Sequence, residues 1–160
     1  MAVDMFLNLD GIKGESSDKT HKGEIDVLAW SWGMSNSGTF QQGTGGGSGK
    51  ANFQDIAVTK YVDKSTADLI YACASGKHIA KGSLVVRKAG EQPLEYLVYS
   101  LEKILVSSVS TGGSGGEEQL TENISLNFSK VKVEYKTQDA TGKAAPGGTF
   151  TWDIAANTKG

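Results

Sequence analysis

The residues of this chain that could do chemistry are a serine in a glycine-rich tract, a lysine after a glycine run, two histidines and one cysteine. Gly112, Ser114 and Gly116 match the G-x-S-x-G pattern of serine hydrolases. In that fold a helix follows the serine and the catalytic histidine comes later in the chain, whereas His21 and His78 both precede Ser114. The pattern therefore indicates a glycine-rich turn. A hydrolase using Ser114 would be labelled by a fluorophosphonate probe, and we expect no labelling.

The glycine run over residues 43–51, GTGGGSGKA, resembles a phosphate-binding loop only in part. That loop needs a glycine where Thr44 stands, and a serine or threonine where Ala51 follows Lys50. The next residues alternate as in a strand, so no helix N-terminus would face a phosphate. The sequence therefore excludes nucleotide binding here.

The histidines and the cysteine do not assemble a metal or catalytic site. His21 and Glu24 could supply two ligands, whereas zinc takes three or four. His78 follows a helix and is expected to be solvated or to cap it. Cys73 lies on the apolar side of that helix and is expected to pack as a small hydrophobe. We predict no metal, no cofactor and no enzymatic activity.

Charge and length exclude other classes. The chain has 160 residues and a net charge of −2, with its basic residues dispersed, so a nucleic-acid partner is not expected. The longest apolar stretch, Leu69 to Ala74, is far shorter than the ~20 residues of a membrane span, so we expect no membrane insertion. The first ten residues, MAVDMFLNLD, lack a basic region and are expected to form a strand rather than a signal peptide.

Glycine is frequent, with 21 residues against 2 prolines, which is typical of a β-protein with many turns. We predict a first strand over Val3 to Leu9 and a second over Ile25 to Phe40. In the second, bulky residues share one parity and are expected to enter the core: Leu28, Trp30, Trp32, Met34 and Phe40. The other parity carries small residues, among them Ala29, Ser31, Gly33 and Ser35. With Trp152 of the last strand, Trp30 and Trp32 are the predicted core anchors.

Residues 51–62 are predicted to form a third strand, followed by a single helix. Ser65 and Asp68 match a helix capping box, and Gly76 suits the helix end. The helix is expected to bury a face made of Leu69, Ile70, Cys73 and Ala74.

Further strands are predicted over Ser83 to Lys88, over Leu94 to Val106, and around Ile124, where the alternation changes parity before Val131 as a β-bulge requires. Residues 139–148 are predicted to be a loop, and residues 149–160 the last strand and tail. The sequence thus predicts one domain over residues 1–160. It is mainly β: a compact, closed or nearly closed barrel of about eight strands with one flanking α-helix.

Four long strings resemble the haemolysin-coregulated protein family, the inner-tube subunits of bacterial type VI secretion systems. They are KGES (13–16), HKGEIDVLAWSWGMSNSG (21–38), KYVDKSTADLIYACASGKH (60–78) and LVSSVSTGGSGGEEQLTENISLNFSKV (105–131). The resemblance implies a β-barrel that forms a homohexameric ring, and rings that stack into a tube around a channel. It implies as partners the spike protein, the contractile sheath and effector cargo proteins. It also implies that the protein is cytoplasmic before firing and is then exported by the apparatus without a signal peptide.

Within that resemblance, the small residues on one side of the second strand have two interpretations. Ser31, Gly33 and Ser35 either line the channel and contact cargo, or are small because another backbone packs closely against them. The candidate ring-stacking residues are Gly43, Thr44, Gly45, Gly46, Gly47, Ser48, Gly49, Gly112, Gly113, Ser114, Gly115 and Gly116. The alternative function is a monomeric β-barrel module that binds a small ligand or glycan through its tryptophans.

Overall fold

A computed structural model describes residues 2–38, 48–90 and 93–160 of the chain. In chain order the strands are β1 (Val3–Leu9), β2 (Ile25–Asp26), β3 (Ala29–Ser31), β4 (Met34–Gly38), β5 (Ser48–Phe53), β6 (Ile56–Tyr61), β7 (His78–Lys88), β8 (Leu94–Thr111), β9 (Thr121–Gln138) and β10 (Ala144–Asp153), with helix α1 (Thr66–Ser75) between β6 and β7. All the strand pairs are antiparallel. The predicted class, a mainly β barrel with one flanking helix, is confirmed.

The predicted second strand is not continuous, because three pieces of it pair with three different partners. β2 pairs with β1, β3 pairs with β6, and β4 forms a separate hairpin with β5. Not all of the bulky residues on that side enter the core, since Leu28 is 39% exposed and Met34 is 46% exposed. Phe40 lies outside the described residues.

The break between β2 and β3 is the point at which the sheet closes. Neighbouring strands follow the order β2, β1, β7, β8, β9, β6, β3, so β2 and β3 form its two ends. The N–H of Val27 donates to the carbonyl of Met5 in β1 at 3.0 Å. The N–H of the next residue, Leu28, donates to the carbonyl of Thr59 in β6 at 2.8 Å. One chain segment therefore bonds to both edges of the curled sheet.

β9 is long enough to hold two strands on one of its edges. Its first half pairs with β6 and its second half with β10, while β8 runs along the other edge. The last strand begins at Ala144, inside the predicted loop 139–148, because Ala144 and Ala145 pair with Gln138 and Thr137. The predicted third strand is likewise two strands, β5 and β6.

In β9 the buried side of the strand changes as predicted, and in β8 it changes at the residues that pair with that part of β9. Buried positions shift between Phe128 and Val131 in β9 and between Leu101 and Ile104 in β8, where Lys103 has a φ of 54°. The pairing register between β8 and β9 does not shift over these residues. A β-bulge in β9 alone was therefore the wrong explanation, because both strands turn together.

Helix α1 lies against β8 and contributes Leu69 and Ala72 to the main buried cluster. The predicted apolar face is rotated by about a quarter of a turn. Ala72 replaces Ile70 and Ala74, since Ile70 is 46% exposed and Ala74 is exposed, while Cys73 is half-buried.

The ends of α1 fall at the predicted residues, but the N-terminus is built differently. Gly76 adopts a left-handed φ of 69° and its N–H donates to the carbonyl of Ala72. Ser65 is the N-cap residue, yet its side chain makes no bond to the helix. Its hydroxyl donates to Asp63 instead, so the predicted capping box with Asp68 is wrong.

A charged pair is fully buried where the chain enters α1. Lys60 and Glu122 face each other across β6 and β9, and Lys60 Nζ lies 2.6 Å from Glu122 Oε2. Lys60 Nζ also lies 3.1 Å from Asp63 Oδ1, and the Thr66 hydroxyl donates to Glu122 Oε2 at 2.9 Å. The pair thus joins the barrel wall to the start of the helix.

Residues 13–24, which we call the strap, form a compact turn over the outer side of β1 and β7. The N–H of Gly14 donates to the carbonyl of Gly23, and the N–H of Gly23 donates to the carbonyl of Ser16, both at 2.8 Å. Gly14 is required here, since a Cβ would collide with the backbone of Glu24.

One ion pair ties the strap to β7. Arg87 Nη1 and Nη2 donate to the two carboxylate oxygens of Asp18, at 3.0 and 2.6 Å. The Arg87 guanidinium holds the pKa of Asp18 well below its usual range, aided by the N–H groups of Thr20 and His21. Asp18 in turn raises the pKa of Arg87, so this contact persists at all pH values near neutrality.

No helix of the described residues is long and apolar enough to cross a membrane.

Replacing Lys60 with Met should destabilise the fold by about 3–5 kcal/mol, because Glu122 would be left as a buried charge without its partner. The measurement is urea unfolding followed by circular dichroism. Lys77→Met, at an exposed position just after α1, is the matched control and should be nearly neutral. The double variant Lys60→Met/Glu122→Met should recover most of the loss, and a double variant as unstable as the single one would contradict this account.

Replacing Asp18 with Asn should lower stability at neutral pH and make it less dependent on pH in the acid range. Because the folded-state pKa of Asp18 is depressed, its contribution is fully present above its unfolded-state pKa of about 3.9. The contribution is lost as pH falls through the lower folded-state value. The difference between wild type and variant, measured by urea unfolding at a series of pH values, should shrink below about pH 4. Asp10→Asn, at an exposed site, should show no such trend.

Candidate functional site

One face of the sheet carries small side chains over four neighbouring strands. The pairing register aligns Ser31 of β3 with Ala57 of β6, Ala57 with Ser125 of β9, and Ser125 with Ser108 of β8. These residues lie on the side opposite the core, since alternate positions such as Ile124 are buried. Ser31 therefore belongs to a row that crosses four strands.

A second row runs parallel to the first. It contains Ala29, Thr59, Asn123 and Ser110, again in register across β3, β6, β9 and β8. The Thr59 hydroxyl donates to Asn123 Oδ1 at 2.6 Å. The two polar side chains thus satisfy each other on the surface.

A third group continues the face beyond Ser31. Asp55 accepts a hydrogen bond from Asn127 Nδ2 at 2.9 Å and one from the Ser107 hydroxyl at 2.5 Å. Both carboxylate oxygens of Asp55 therefore accept a hydrogen bond from an uncharged side chain, and Asp55 is the one carboxylate among these residues. We call the whole set the small-residue face: Ala29, Ser31, Asp55, Ala57, Thr59, Ser107, Ser108, Ser110, Asn123, Ser125 and Asn127.

The small-residue face has a different structure at each end. Beyond the row of Ala29 lies the pair Tyr61 and Thr121, and then the loop from Gly112 to Gly116. Beyond the row of Ser31 the chain enters the β4–β5 hairpin. An open cleft of about 380 Å³ at the loop end is lined by Ser110, Thr111, Gly112, Gly113, Ser114, Glu117, Thr121 and Asn123.

The three predicted channel residues do not share one strand. Ser31 is exposed on the small-residue face, and Ser35 is exposed in the β4–β5 hairpin opposite Asn52. Gly33 is half-buried against a neighbour, since a Cβ there would lie 3.1 Å from Oε1 of Gln54. The atoms nearest to that Cβ belong to the Gln54 side chain and not to the backbone that the close-packing interpretation requires. The channel role of all three residues stays a prediction.

Of the predicted stacking residues, Gly43 to Gly47 lie outside the described residues. Ser48 and Gly49 begin β5, where Ser48 pairs with Gly38. Every residue of β4 is exposed, so the hairpin projects from the barrel. Gly112 to Gly116 form the loop at the opposite end of the small-residue face, and in the described structure the Ser114 hydroxyl has no hydrogen-bond partner.

The three predicted core anchors are half-buried and pack against the main core rather than inside it. Trp30 and Trp32 both meet the ring of Tyr99 edge-on, with centroids 5.0 and 5.7 Å away. Burial raises the pKa of the Tyr99 hydroxyl. Phe53 links Trp32 to Trp152, with centroid distances of 6.1 and 6.4 Å. This aromatic cluster joins the base of the hairpin to β10, and the role of anchor stays a prediction.

The other chemistry-bearing residues lie apart from the small-residue face. His21 is buried in the strap, His78 is exposed at the start of β7, and Cys73 is half-buried on α1. Among residues 2–38, 48–90 and 93–160 no three histidine, cysteine or acidic side chains come together as a metal site would require.

Most of the small-residue face was missed in the sequence. The string NISLNFSK does alternate Asn123, Ser125 and Asn127 with three bulky apolar residues, so its polar side could have been identified. The alignment of this polar side with Ser31 could not have been identified, because it depends on β6 lying between β3 and β9.

Comparison with known proteins identifies the family. Residues 6–135 match the family model described as type VI secretion system effector, Hcp. The chain belongs to the Hcp family. It is similar to protein hcp1 of Pseudomonas aeruginosa, with 57% identity over 162 residues that cover 99% of each chain. The family resemblance predicted from the sequence is confirmed.

Solved structures agree with this assignment. The fold matches a structure described as a type six secretion system protein with a TM-score of 0.93 and 32% identity, over 99% of this chain and 100% of that one. It matches the crystal structure of Hcp1 from Salmonella typhimurium with a TM-score of 0.79 and 39% identity, over 99% of each chain. The Hcp barrel is thus present over the whole length of the chain.

Proposed function

We propose that this Hcp protein is the structural subunit of a type VI secretion tube, in which six copies form a ring and rings stack end to end. The family assignment supports a type VI tube or effector protein over a monomeric binding module. The observation that carries the proposal further is the pairing register. It makes one uniform face run from the Gly112–Gly116 loop at one end to the β4–β5 hairpin at the other.

A stacked ring needs two kinds of contact. A ring closes when the same head-to-tail contact joins each subunit to the next and the last subunit to the first. Stacking repeats a second contact from ring to ring and never closes. The loop and the hairpin lie at opposite ends of the small-residue face, so they are suited to meet each other between rings if that face runs along the tube axis. The proposed stacking residues are then Gly43 to Gly49, which precede or begin β5 in the chain, and Gly112 to Gly116 of the loop.

The small-residue face is the proposed channel wall. Its side chains are short, and its one carboxylate is satisfied by Asn127 and Ser107, so it offers no deep pocket and no strong charge. Tight binding normally depends on a few large buried anchors. A wall without such anchors lets effector cargo rest against Ser31 and Ser35 and leave again. Gly33, half-buried beside the Gln54 side chain, is the least accessible of the three proposed wall residues.

The remaining partners follow from the family and not from a contact in this chain. We propose the spike protein at the tube tip, the contractile sheath outside it, and export through the apparatus from the cytoplasm without a signal peptide. Hcp proteins are structural, secreted proteins rather than a known enzyme family, and we propose no catalytic residue and no cofactor. The binding-module alternative loses support because the tryptophans pack against the core and do not form an exposed platform.

Replacing Ser31 with Arg should leave the ring intact and reduce capture of co-expressed effector about tenfold, equivalent to about 1.4 kcal/mol. The side chain points away from the core, and six copies would place a positive ring in the channel. Light scattering measures the ring mass, and quantified co-purification measures the cargo. Ser75→Arg, at an exposed residue at the end of α1, should change neither. Unchanged capture, or loss of the ring, would show that Ser31 does not line the channel.

Ring closure and stacking should differ in strength, because ordering glycine-rich segments costs backbone entropy. Sedimentation velocity over a dilution series should show stacks disappearing first and a plateau of hexamers persisting at lower concentration. In a Cys73→Ser background, Ser48→Cys with Ser114→Cys should form disulfide ladders between rings, whereas Ser75→Cys should not. Direct dissociation of stacks into monomers would contradict the two-strength scheme.

A further inference from the structure

The strap covers a small apolar patch that is separate from the main core. Phe6 of β1 and Val85 of β7 pair in register and are only 4% and 6% exposed. They point to the outer side of the sheet, since their neighbours Leu7 and Leu84 belong to the main buried cluster. The ring of His21 stacks on Phe6 with centroids 4.3 Å apart and planes 12° apart. His21 is therefore the part of the strap that lies on the patch.

Both ring nitrogens of His21 meet carboxylates. Nδ1 lies 3.0 Å from Glu24 Oε1 within the strap, and Nε2 lies 2.5 Å from Glu95 Oε1 on β8. An ionised carboxylate only accepts hydrogen bonds, and a neutral imidazole has one N–H and one lone pair. Both contacts are therefore hydrogen bonds only when the ring carries two protons. Loss of one proton sets a lone pair against a carboxylate oxygen.

We propose that His21 is a proton-operated latch that holds the strap over Phe6 and Val85. The latch is closed when the ring is doubly protonated. As pH rises and the ring loses a proton, the contact with Glu95 is the one to break, because Glu24 belongs to the strap and moves with His21. The strap then stays tied by Asp18 and Arg87 while its other end opens.

Several other charged groups lie around the strap. The charged groups on the elements packed against the strap include Asp4 of β1, Asp26 of β2, Arg87 of β7 and Glu95 of β8. The strap itself carries Asp18 and Glu24 as well as Lys19 and Lys22. Arg87 binds Asp18 and lies 3.2 Å from Asp4, and its guanidinium carbon lies 5.0 Å from the Phe6 centroid. Arg87 is thus engaged by Asp18 and Asp4, whereas among the described ion pairs Glu24 and Glu95 have only His21 as a partner.

Hydrogen exchange of the strap amides tests the latch directly. In the wild type, the protection factors of the Gly14 and Gly23 amides, corrected for intrinsic rates, should fall about tenfold between about pH 5 and about pH 8, the size expected for a lost hydrogen bond to a charged group. Amides at the centre of β9 should keep their protection. Equal strap protection at both pH values would overturn the proposal.

Glu95→Gln separates a latch from a general loss of stability. The introduced amide can donate to the lone pair of Nε2, so a neutral ring with its proton on Nδ1 satisfies both neighbours. This variant should keep its strap protected at both pH values. Glu102→Gln, at an exposed position of the same strand, should retain the wild-type fall. A wild-type fall in Glu95→Gln would also overturn the proposal.

A second measurement on the wild type does not depend on any variant folding. Nitrogen-15 shifts of the His21 ring report its protonation, and they should change over the same pH range in which strap protection is lost. Loss of protection while the ring stays doubly protonated, or a ring that titrates without loss of protection, would contradict the latch.

Discussion

The structure depends on one constraint: a single chain segment must hydrogen-bond to both edges of the sheet. Val27 bonds to β1 and Leu28 to β6, and these two adjacent amides close the barrel. Closure at this point ends β2 and starts β3, which places Ser31 at the border of the small-residue face. It also directs the chain onward into the β4–β5 hairpin. The channel wall and one stacking element that we propose therefore follow from the same closure.

Local patterns predicted the elements that local forces determine. β1 and the limits of α1 agree with the sequence, since a strand with regular alternation and a glycine with positive φ leave clear signals. The alternation from Leu28 to Ser35 was also real, but it hid two breaks. A strand that changes partners keeps its pleat, so the periodicity continues where the hydrogen bonding does not.

The errors have non-local causes. The capping box failed because Asp63, already held near Lys60, takes the hydroxyl of Ser65. Residues 144–148 of the predicted loop are strand because the second half of β9 pairs with them. Most of the small-residue face was not identified because Ser31, Ser125 and Ser108 are far apart in the chain and meet only through the register of β6, β9 and β8. His21 and Glu24 suggested at most an incomplete metal site, and the contact of His21 with Glu95 could not be predicted because Glu95 lies on a distant strand.

The central claim is that the small-residue face lines the channel, with the hairpin and the Gly112–Gly116 loop at its two ends. An electron cryomicroscopy map of assembled rings, at a resolution that shows the strands, tests this most directly. The account predicts Ser31, Ala57, Ser125 and Ser108 facing the central axis, and the loop of one ring against the hairpin of the next. A map that places this row on the outside of the tube, or buries it between neighbouring subunits, would contradict the account.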